Sequence, residues 1–288
     1  MTLRDAGRPH RHRDCFQLAL AALAAAASVG MFGWILWDIA RLGAGHLSWD
    51  FLSSPPRDSG RSGGIAPILA SSAAILAIAL AAALPVGVAT ALLLSETTSR
   101  HSRYRSAMRT SLDILAGTPS IVFGLFGNAF FCVYLGLGFS ILSGGLTLAC
   151  MILPLLTRTV EATLRAVPVE WWSGAAALGM RRTATLRRIV LPAIAPAVAT
   201  GVILGVGRAL AETAALLFTS GYVDRMPTSP LDSGRALAVH IYDMSMNVVG
   251  GEQAAFASAL VLMATLLVLH GCAQWTAGLW ARGRLRVS

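Results

Sequence analysis

Two charged residues, Arg208 and Glu212, lie four positions apart inside a stretch that is otherwise apolar. On one continuous helix they would share a face, one turn apart, and could form an ion pair. A charge near the centre of a bilayer costs about 2.5–3.5 kcal/mol even on the mild insertion scale, so both need a protein or aqueous environment. Either the pair locks two helices together, or Arg208 lines a polar path and offers its planar fork of N–H donors to an oxyanion while Glu212 holds that fork in place.

Other reactive chemistry finds little support in the sequence. All 23 basic residues are arginine, which excludes a P-loop nucleotide site and a lysine Schiff base, so we predict that the chain does not hydrolyse ATP by itself. The four cysteines have neither CxxC nor Cys/His spacing, which argues against a disulfide framework and a zinc site. The segment Gly60–Gly64 matches G-x-S-x-G but lacks the strand and helix that a nucleophile elbow requires. We therefore predict no catalytic residue, no metal site and no cofactor bound by this chain.

The composition places the 288-residue chain in a bilayer. Hydrophobic residues make up 55% of the chain, charged residues only 13%, and the mean hydropathy is +0.65, whereas soluble domains are usually about 25% charged. Six stretches are long enough to cross a hydrocarbon core of about 30 Å at about 1.5 Å per residue. The sequence therefore predicts an all-α membrane protein with six transmembrane helices, at about 16–37, 66–94, 115–137, 139–160, 193–220 and 254–280.

The arginines are distributed unequally about these spans. Seventeen flank the spans on the side that holds both termini, five lie on the other side, and Arg208 lies inside a span. By the positive-inside rule both termini are cytoplasmic. This topology also accounts for the formal net charge of +9 and leaves no basic face with interleaved aromatic residues, which excludes nucleic acid as a partner. The predicted organisation is a cytoplasmic tail at 1–15, a retained anchor helix at 16–37, a periplasmic loop at 38–65, the main transmembrane domain at 66–280 and a cytoplasmic tail at 281–288.

Helix-disrupting residues lie inside two of the predicted spans. Pro85 lies within the second span, and the third begins around Gly117 and Pro119. Broken helices at membrane depth need protein or water around the freed backbone groups, so these residues favour a bundle with a cavity, although an ordinary kink would also fit the pattern. In the fifth span, Gly201 and Gly205 form a G-x-x-x-G pattern that predicts close packing against another helix or chain.

The inner segment at about 164–192 is rich in arginine, moderately apolar and helical in pattern, which indicates a protein partner. It contains Ser-Gly-Ala-Ala-Ala-Leu-Gly at 173–179, and Ile-Val-Leu-Pro follows at 189–192. This spacing resembles the "EAA" coupling motif of ABC importer permeases, which docks into a groove on a cytoplasmic ATPase. Gly179 is expected to permit a sharp turn between two helices, while Ser and Gly replace the Glu and first Ala of the motif. The resemblance assigns ATPase coupling to Ser173, Gly174, Ala175, Gly179, Ile189, Leu191 and Pro192.

Three further stretches resemble the A-type permeases of phosphate-specific ABC transporters. They are G-G-I-A-P at 63–67, L-A-G-T-P-S-I-V-F-G-L-F-G at 115–127 and G-R-A-L-A-E-T-A at 207–214. The family commonly has Gly where this chain has Ala211. Glu161 also fits the family pattern just before the coupling segment, and we expect it to have a structural role. The resemblance extends over about residues 48–280.

The resemblance implies a type I ABC importer permease bundle with a cytoplasmic coupling loop in the bacterial inner membrane. Its implied partners are a C-type phosphate permease in a heterodimer, two copies of a cytoplasmic ATPase that carry ATP and Mg, and an external phosphate-binding protein that meets the loops at 39–64 and 221–253. The expected function is that of a non-enzymatic subunit of an ATP-driven inorganic phosphate importer. Its translocation path would contain Arg208 and Glu212, with helix breaks or packing positions at Gly117, Pro119, Gly201 and Gly205.

Other functions stay open on the sequence alone. Arg208 would bind other oxyanions such as molybdate, tungstate or sulfate, and a homodimer could replace the heterodimer. A secondary transporter or channel would use Arg208 and Glu212 as a gate or proton relay without ATP, but it would not need the coupling segment. A membrane-anchored scaffold or signalling protein would predict no charges inside the spans.

Overall fold

The computed structural model describes residues 11–96 and 103–284, so most of the predicted N-terminal tail, Arg100, and the last four residues of the predicted C-terminal tail lie outside the described residues. The chain is built from long helices joined by short ones. A two-stranded antiparallel hairpin pairs Pro56–Arg57 (β1) with Ser62–Gly63 (β2). In chain order the helices are α1 (Arg11–Gly43), α2 (Trp49–Ser53), α3 (Ala66–Glu96), α4 (Arg103–Gly117), α5 (Ser120–Gly127), α6 (Ile141–Arg165), α7 (Val169–Ala177), α8 (Arg182–Thr185), α9 (Leu191–Leu210), α10 (Ala214–Leu217), α11 (Leu237–Met246) and α12 (Glu252–Arg284), with π-helical turns Asn128–Tyr134 after α5 and Leu186–Val190 after α8.

Among the described residues, five helical segments are long and apolar enough to cross a membrane. A sixth span results if α4 and the helix from Ser120 to Tyr134, which are bent by 103° at their junction, count as one. The predicted all-α membrane fold is confirmed, and the chain is a multi-pass membrane protein. The five segments are Phe16–His46, Ala66–Ser95, Ile141–Arg165, Arg182–Leu210 and Glu252–Cys272.

Two of the predicted spans differ from the helices in the structure. The span predicted at 193–220 is not one helix, because α9 ends at Leu210 and α10 begins only at Ala214. The span predicted at 115–137 begins at the bend between α4 and α5, and most of the predicted loop before it belongs to α4. Pro85, in contrast, does not interrupt α3. Ala, Leu and Glu favour continued helix around position 211, so tertiary packing must impose the break there.

The centre of the bundle is the contact between α3 and α6. Gly145 of α6 allows this close approach, because a Cβ atom there would lie 2.6 Å from Cγ2 of Ile78 and 3.1 Å from the carbonyl oxygen of Ile75. Apolar residues of both helices fill the contact, and residues from α9 and α10 complete it. The buried members include Ile75, Ala79, Leu148, Ile152, Ala209 and Leu216.

The helix α1 lies at the edge of the bundle and packs along α12. Gly43 marks the closest approach, since a Cβ atom there would lie 2.6 Å from the carbonyl oxygen of Phe256. None of the most apolar part of α1 is buried inside the chain, and Trp34 and Trp37 are exposed. This surface is suited to lipid, with the indole rings available for the interfacial region.

Loops cover the end of the bundle at which α3, α6 and α12 begin, which we call the hairpin end; the opposite end is the α7 end. Asp58, Ser59 and Gly60 turn the hairpin with positive φ angles of 49°, 59° and 89°. Gly60 lies against α11, because a Cβ atom there would be 2.9 Å from Sδ of Met244 and 3.3 Å from Cε1 of His240. The hairpin is therefore packed onto α11.

The loop after α10 closes the first turn of α6. The first N–H groups of a helix have no acceptor within the helix, and here loop carbonyls and one serine hydroxyl supply acceptors. The loop between α10 and α11 is fixed to α6 by these bonds. The N–H groups of Ser140, Ile141, Leu142 and Ser143 donate to Thr219 O (3.0 Å), Asp232 O (2.9 Å), Pro230 O (2.8 Å) and Ser140 Oγ (3.1 Å), respectively.

Candidate functional site

The two intramembrane charges do not form the same-helix pair that their spacing predicts. Arg208 lies in the last turn of α9, whereas Glu212 lies beyond the end of that helix. Oε1 of Glu212 accepts a long hydrogen bond of 3.5 Å from the backbone N–H of Ala215, at the start of α10. Within the ranges that the structure describes, no ion pair joins Arg208 to Glu212. The predicted pairing is wrong because the chain leaves the α-helical path at Ala211.

Arg208 is exposed on the surface of the chain, on the face of α9 that also presents Leu204. Its position in the last turn is favourable, because the C-terminus of a helix carries partial negative charge. It lies near the middle of the bundle's length, since Gly205 on the preceding turn faces Ile152, near the middle of the 25-residue α6. A guanidinium at this depth is costly against lipid, so this face of α9 must meet water or another protein.

The G-x-x-x-G pattern brings α9 onto α6, as predicted for close helix packing. A Cβ atom at Gly201 would lie 3.2 Å from Cγ2 of Thr159, and one at Gly205 would lie 3.8 Å from Cβ of Ile152. The contact is tight at the first glycine and ordinary at the second. Both glycines face α6 of the same chain, so the exposed face with Arg208 is a different one.

The break between α4 and α5 is made at Thr118 and Pro119. Pro119 precedes α5 with φ −59° and ψ 144°, outside the helical region, and proline also disfavours helix at the residue before it. The hydroxyl of Thr118 donates to the carbonyl of Ile114 at 2.8 Å and closes the last turn of α4. Gly117 has open space around it, with no atom within 4 Å of an added Cβ. The predicted helix break is present, and the two helices meet there at a bend of 103°.

The two interrupted helices lie side by side. A Cβ atom at Gly124 of α5 would lie 3.0 Å from Cα of Ala215 in α10, and Nδ2 of Asn128 donates to the carbonyl of Phe218 at 2.9 Å. The two segments therefore run in the same direction, and α10 begins two residues after Glu212. Interrupted helices beside a membrane-depth charge are a feature of transport sites.

His270 of α12 packs next to the turn that carries Arg208. Its Nδ1 lies 2.9 Å from the carbonyl oxygen of Leu266, one turn earlier on its own helix. A Cβ atom at Gly207 would lie 3.1 Å from Cε1 of His270. These contacts pack His270 against α9 and leave little room for a side chain at Gly207, the residue before Arg208.

At the α7 end, α7 and α8 form a structured segment that projects from α6. Gly179 has φ 75° and lies between the two helices, so the expected turn is present. Leu178 beside it is 83% exposed. The hydroxyl of exposed Ser173 bonds only within its helix, to the carbonyls of Val169 (3.3 Å) and Glu170 (3.2 Å). The tip of this segment therefore presents an apolar side chain at a sharp turn.

The seven predicted coupling residues fall into two groups. Ser173, Gly174, Ala175 and Gly179 belong to α7 and the turn after it, and only Ala175 of these is buried. The other three lie where α8 passes into α9. Ile189 is in the π-helical turn, and Leu191 and Pro192 begin α9. A cavity of about 380 Å³ opens between α7 and α8, with the guanidinium of Arg182 5.4 Å above the ring of Trp172.

Sequence reasoning missed a cluster of charges between α4 and α6. Glu161 of α6 is only 8% exposed, and its Oε1 accepts hydrogen bonds from Nη2 of Arg109 (2.8 Å) and from Nη2 of Arg165 (2.6 Å). The pairing of Glu161 with Arg165 could have been predicted from the sequence, because residues four apart share a helix face. Arg109 is 52 residues away in the chain, and nothing in the sequence links it to Glu161.

A second ion pair joins the same two helices. Asp113 of α4 pairs with Arg158 of α6. Both side chains are largely exposed, at 63% for Asp113 and 45% for Arg158, in contrast to Glu161. The α4–α6 contact thus has one buried and one exposed ionic link.

Comparison with known proteins matches residues 83–275 to the family described as "Binding-protein-dependent transport system inner membrane component". The "Probable ABC transporter permease protein YqgI" of Bacillus subtilis (strain 168) is 33% identical over 270 residues, 88% of this chain and 90% of that protein. The "Phosphate transport system permease protein PstA 2" of Mycobacterium tuberculosis (strain CDC 1551 / Oshkosh) is 31% identical over 198 residues, 69% of this chain and 64% of that protein.

Among solved structures, the fold is similar to a chain of the inward-facing MetNI methionine ABC transporter. The TM-score is 0.58 with 15% sequence identity, covering 73% of this chain and 94% of the other. At this identity the likeness concerns the fold alone. It confirms the type I ABC importer permease bundle predicted from the sequence.

Proposed function

The chain belongs to the family of binding-protein-dependent transport system inner membrane components, and we propose that it serves an ATP-driven importer of inorganic phosphate. It is the permease of an ABC importer, a transmembrane subunit rather than an enzyme. Similarity to a phosphate transport system permease supports phosphate as the cargo. The observation that carries the proposal is the exposed guanidinium of Arg208, near the middle of the bundle's length, where α9 is interrupted before α10.

The chemistry of Arg208 suits an anion that must bind and then leave. Its guanidinium offers several N–H donors in a planar fork that fits the oxygens of a tetrahedral oxyanion. Because Glu212 does not hold the guanidinium in an ion pair, its donors are available to a passing anion. Conduction requires binding that is favourable enough for entry and weak enough for release. Glu212 is assigned to the same path as the group that caps α10 next to Arg208.

We assign each proposed partner to a surface of the chain. A second permease of the C type would cover the face of α9 that presents Arg208, so that the path lies between the two subunits. Two copies of an ATPase, which hold ATP and Mg, would bind the α7 end through the exposed turn at Leu178 and Gly179. A phosphate-binding protein would dock at the hairpin end, with both termini cytoplasmic. This chain itself would bind no cofactor.

Transport would use movement of the α7 end. Closure of the ATPase dimer on ATP would draw the two coupling segments together and turn the bundles from inward-facing to outward-facing. The helix α9 begins directly after the coupling segment at Leu191 and carries Arg208 at its other end, so it connects the two functional regions mechanically. Hydrolysis and product release would reset the bundle.

A different oxyanion is the second candidate cargo. An arginine fork accepts sulfate, molybdate or tungstate by the same hydrogen bonds as phosphate. Similarity to the phosphate transport system permease favours phosphate over these. The selection between anions would rest mainly on the external binding protein.

The test is uptake by proteoliposomes that contain this chain, its C-type partner and the ATPase, with binding protein and labelled phosphate outside and ATP inside. We expect uptake to require ATP and binding protein. Replacing Arg208→Gln should reduce uptake by roughly 10- to 100-fold, because hydrogen bonds to charged groups contribute about 1.5–3 kcal/mol. Arg41→Gln, an exposed arginine at the end of peripheral α1, is the matched control and should retain uptake.

The results separate the candidates. Uptake of phosphate without ATP would overturn the importer assignment in favour of a secondary carrier. ATP-dependent uptake of sulfate, molybdate or tungstate with no phosphate uptake would support an ABC importer but with a different anion as its cargo. Equal phosphate uptake by the Arg208→Gln and Arg41→Gln complexes would remove Arg208 from the path.

A further inference from the structure

The buried ionic link between α4 and α6 lies on the mechanical route from the α7 end to the interrupted helices. Glu161 is one turn before the end of α6, and only Ala166, Val167 and Pro168 separate α6 from α7. The other partner, Arg109, is in the middle of α4. The link therefore fastens α4 to the part of α6 that leads directly to α7.

The helix α4 has few buried apolar contacts to hold it in place. Its packing within the described residues is mostly against α6, and Leu112 is its one buried side chain there. Most of its remaining surface is exposed, and Gly117 at its end meets no neighbouring atom. A helix with so little apolar burial needs other interactions to hold its position.

From α4 the route continues to the site. The bend of 103° at Thr118 and Pro119 turns the chain from α4 into α5. The helix α5 packs on α10 through Gly124 and Asn128, and α10 begins next to Glu212. A shift of α4 relative to α6 would therefore change the position of α5 and its contact with α10, the segment that follows Glu212 in the chain.

We propose that Glu161 is a positioning residue, which holds Arg109 so that α4 moves together with the end of α6 and transmits the movement of α7 to the bend at Thr118–Pro119. This inference rests on the proposed function, because it assigns a role in coupling ATP hydrolysis to transport. Glu161 acts through α4 and α5 and does not touch the cargo. Its carboxylate accepts hydrogen bonds from one arginine of α4 and one of α6, so it links the two helices.

The chain offers a closely matched pair of variants. Arg109→Gln removes the link across the helices but leaves Glu161 paired with Arg165, so the buried carboxylate is not left alone. Arg165→Gln removes the partner on the same helix and leaves the cross-helix link. Both arginines bind the same oxygen through Nη2, and their side chains are 40% and 41% exposed. Asp113→Asn, which cuts the exposed link between the same helices, is a further control.

The measurement is the number of ATP molecules hydrolysed per phosphate transported, in proteoliposomes of the complete complex. We expect Arg109→Gln to raise this ratio by about three- to tenfold, a range typical of mutations that weaken coupling between sites. Arg165→Gln and Asp113→Asn should leave the ratio within about twofold. Loss of assembly would lower both activities together, whereas loss of coupling lowers transport while hydrolysis continues. A ratio that is unchanged in Arg109→Gln, or raised equally in Arg165→Gln, would overturn the proposal.

A second measurement does not depend on a variant that breaks the link. Spin labels at exposed positions of the two helices, introduced as Ser106→Cys on α4 and Ala162→Cys on α6 without the native cysteines, report their separation in the assembled complex. We expect this distance to stay constant between the ATP-free and ATP-trapped states. A distance that changes would show that α4 and α6 move independently and would overturn the proposal. If the unmodified complex fails to transport any oxyanion with ATP, the proposed function fails, which is a separate result.

Discussion

At the scale of single residues, Glu161 accepts hydrogen bonds from two arginines, whereas no ion pair joins Arg208 to Glu212 in the described ranges. Arg208 stands out because it is a charge within an apolar run, and this signal is local. The ion pair expected between Arg208 and Glu212 was wrong, because a spacing of four residues predicts a pair only if the helix continues between the two residues. Glu161 was recognised as structural, but its partner Arg109 lies 52 residues away, and such a pairing is decided by tertiary packing.

The cap formed by Glu212 leads to a prediction about its charge. Glu212→Gln keeps an oxygen that accepts the N–H of Ala215, so we expect uptake to fall by less than about threefold. Glu212→Ala removes the acceptor of this long bond and should cost less than the roughly 1 kcal/mol of stability that a capping residue contributes. Uptake by the two variants, together with thermal unfolding of the complex, tests this. If Gln abolishes uptake as completely as Ala does, the negative charge itself is required.

His240 of α11 makes the hairpin end sensitive to acid. The residue is 1% exposed, and neither ring nitrogen has a hydrogen-bond partner among the described residues. Burial, and to a smaller extent the charge of Arg235, lower the pKa of His240 from its ordinary 6.5 to about 4, while Asp243 opposes the shift. Because the folded-state pKa is lowered, the unfolded chain binds more protons between pH 6.5 and 4, and stability decreases as the pH falls through this window.

We expect this effect of His240 to reach about 3 kcal/mol by pH 4. His240→Leu replaces the imidazole with an apolar side chain and should remove that part of the pH dependence. The measurement is thermal unfolding of the purified complex from pH 7 to pH 4, compared between the two proteins. Parallel pH profiles for both would show that His240 is not the titrating group.

At the scale of helices, hydropathy predicts how many spans exist but not where each is interrupted. The bend at Thr118–Pro119 was predicted because proline restricts its neighbour, but its angle of 103° depends on how α4 packs on α6. The end of α9 at Leu210 was missed, since the residues that follow favour helix. The close packing of Gly124 against Ala215 instead fixes α10 as a separate segment.

The contact between α3 and α6 gives a prediction at this scale. Gly145→Ala places a methyl group 2.6 Å from Cγ2 of Ile78, and we expect it to destabilise the bundle by about 1–3 kcal/mol, as overpacked cores do. Gly271→Ala on α12 is the control, because no atom lies within 4 Å of its added Cβ. Thermal unfolding of both variants measures the difference. Equal stability would mean that α3 and α6 separate at little cost.

At the scale of the whole molecule, the distribution of charge predicts the orientation in the membrane. Seventeen arginines on one side predict that the α7 end is cytoplasmic and that the hairpin end is outside. In a protein without native cysteines, exposed Ser59→Cys in the hairpin should react with a membrane-impermeant thiol reagent in intact cells. Exposed Ser173→Cys on α7 should react only after permeabilisation. The reverse pattern would invert the topology and exclude an ATPase at the α7 end.

The closed first turn of α6 affects how an anion would travel past the hairpin end. The amino end of a helix normally attracts negative ions, because its leading N–H groups are unpaired. In α6, the N–H groups from Ser140 to Ser143 are all engaged by acceptors of the same chain. An arriving anion would therefore find none of these N–H groups free to hold it at the start of α6.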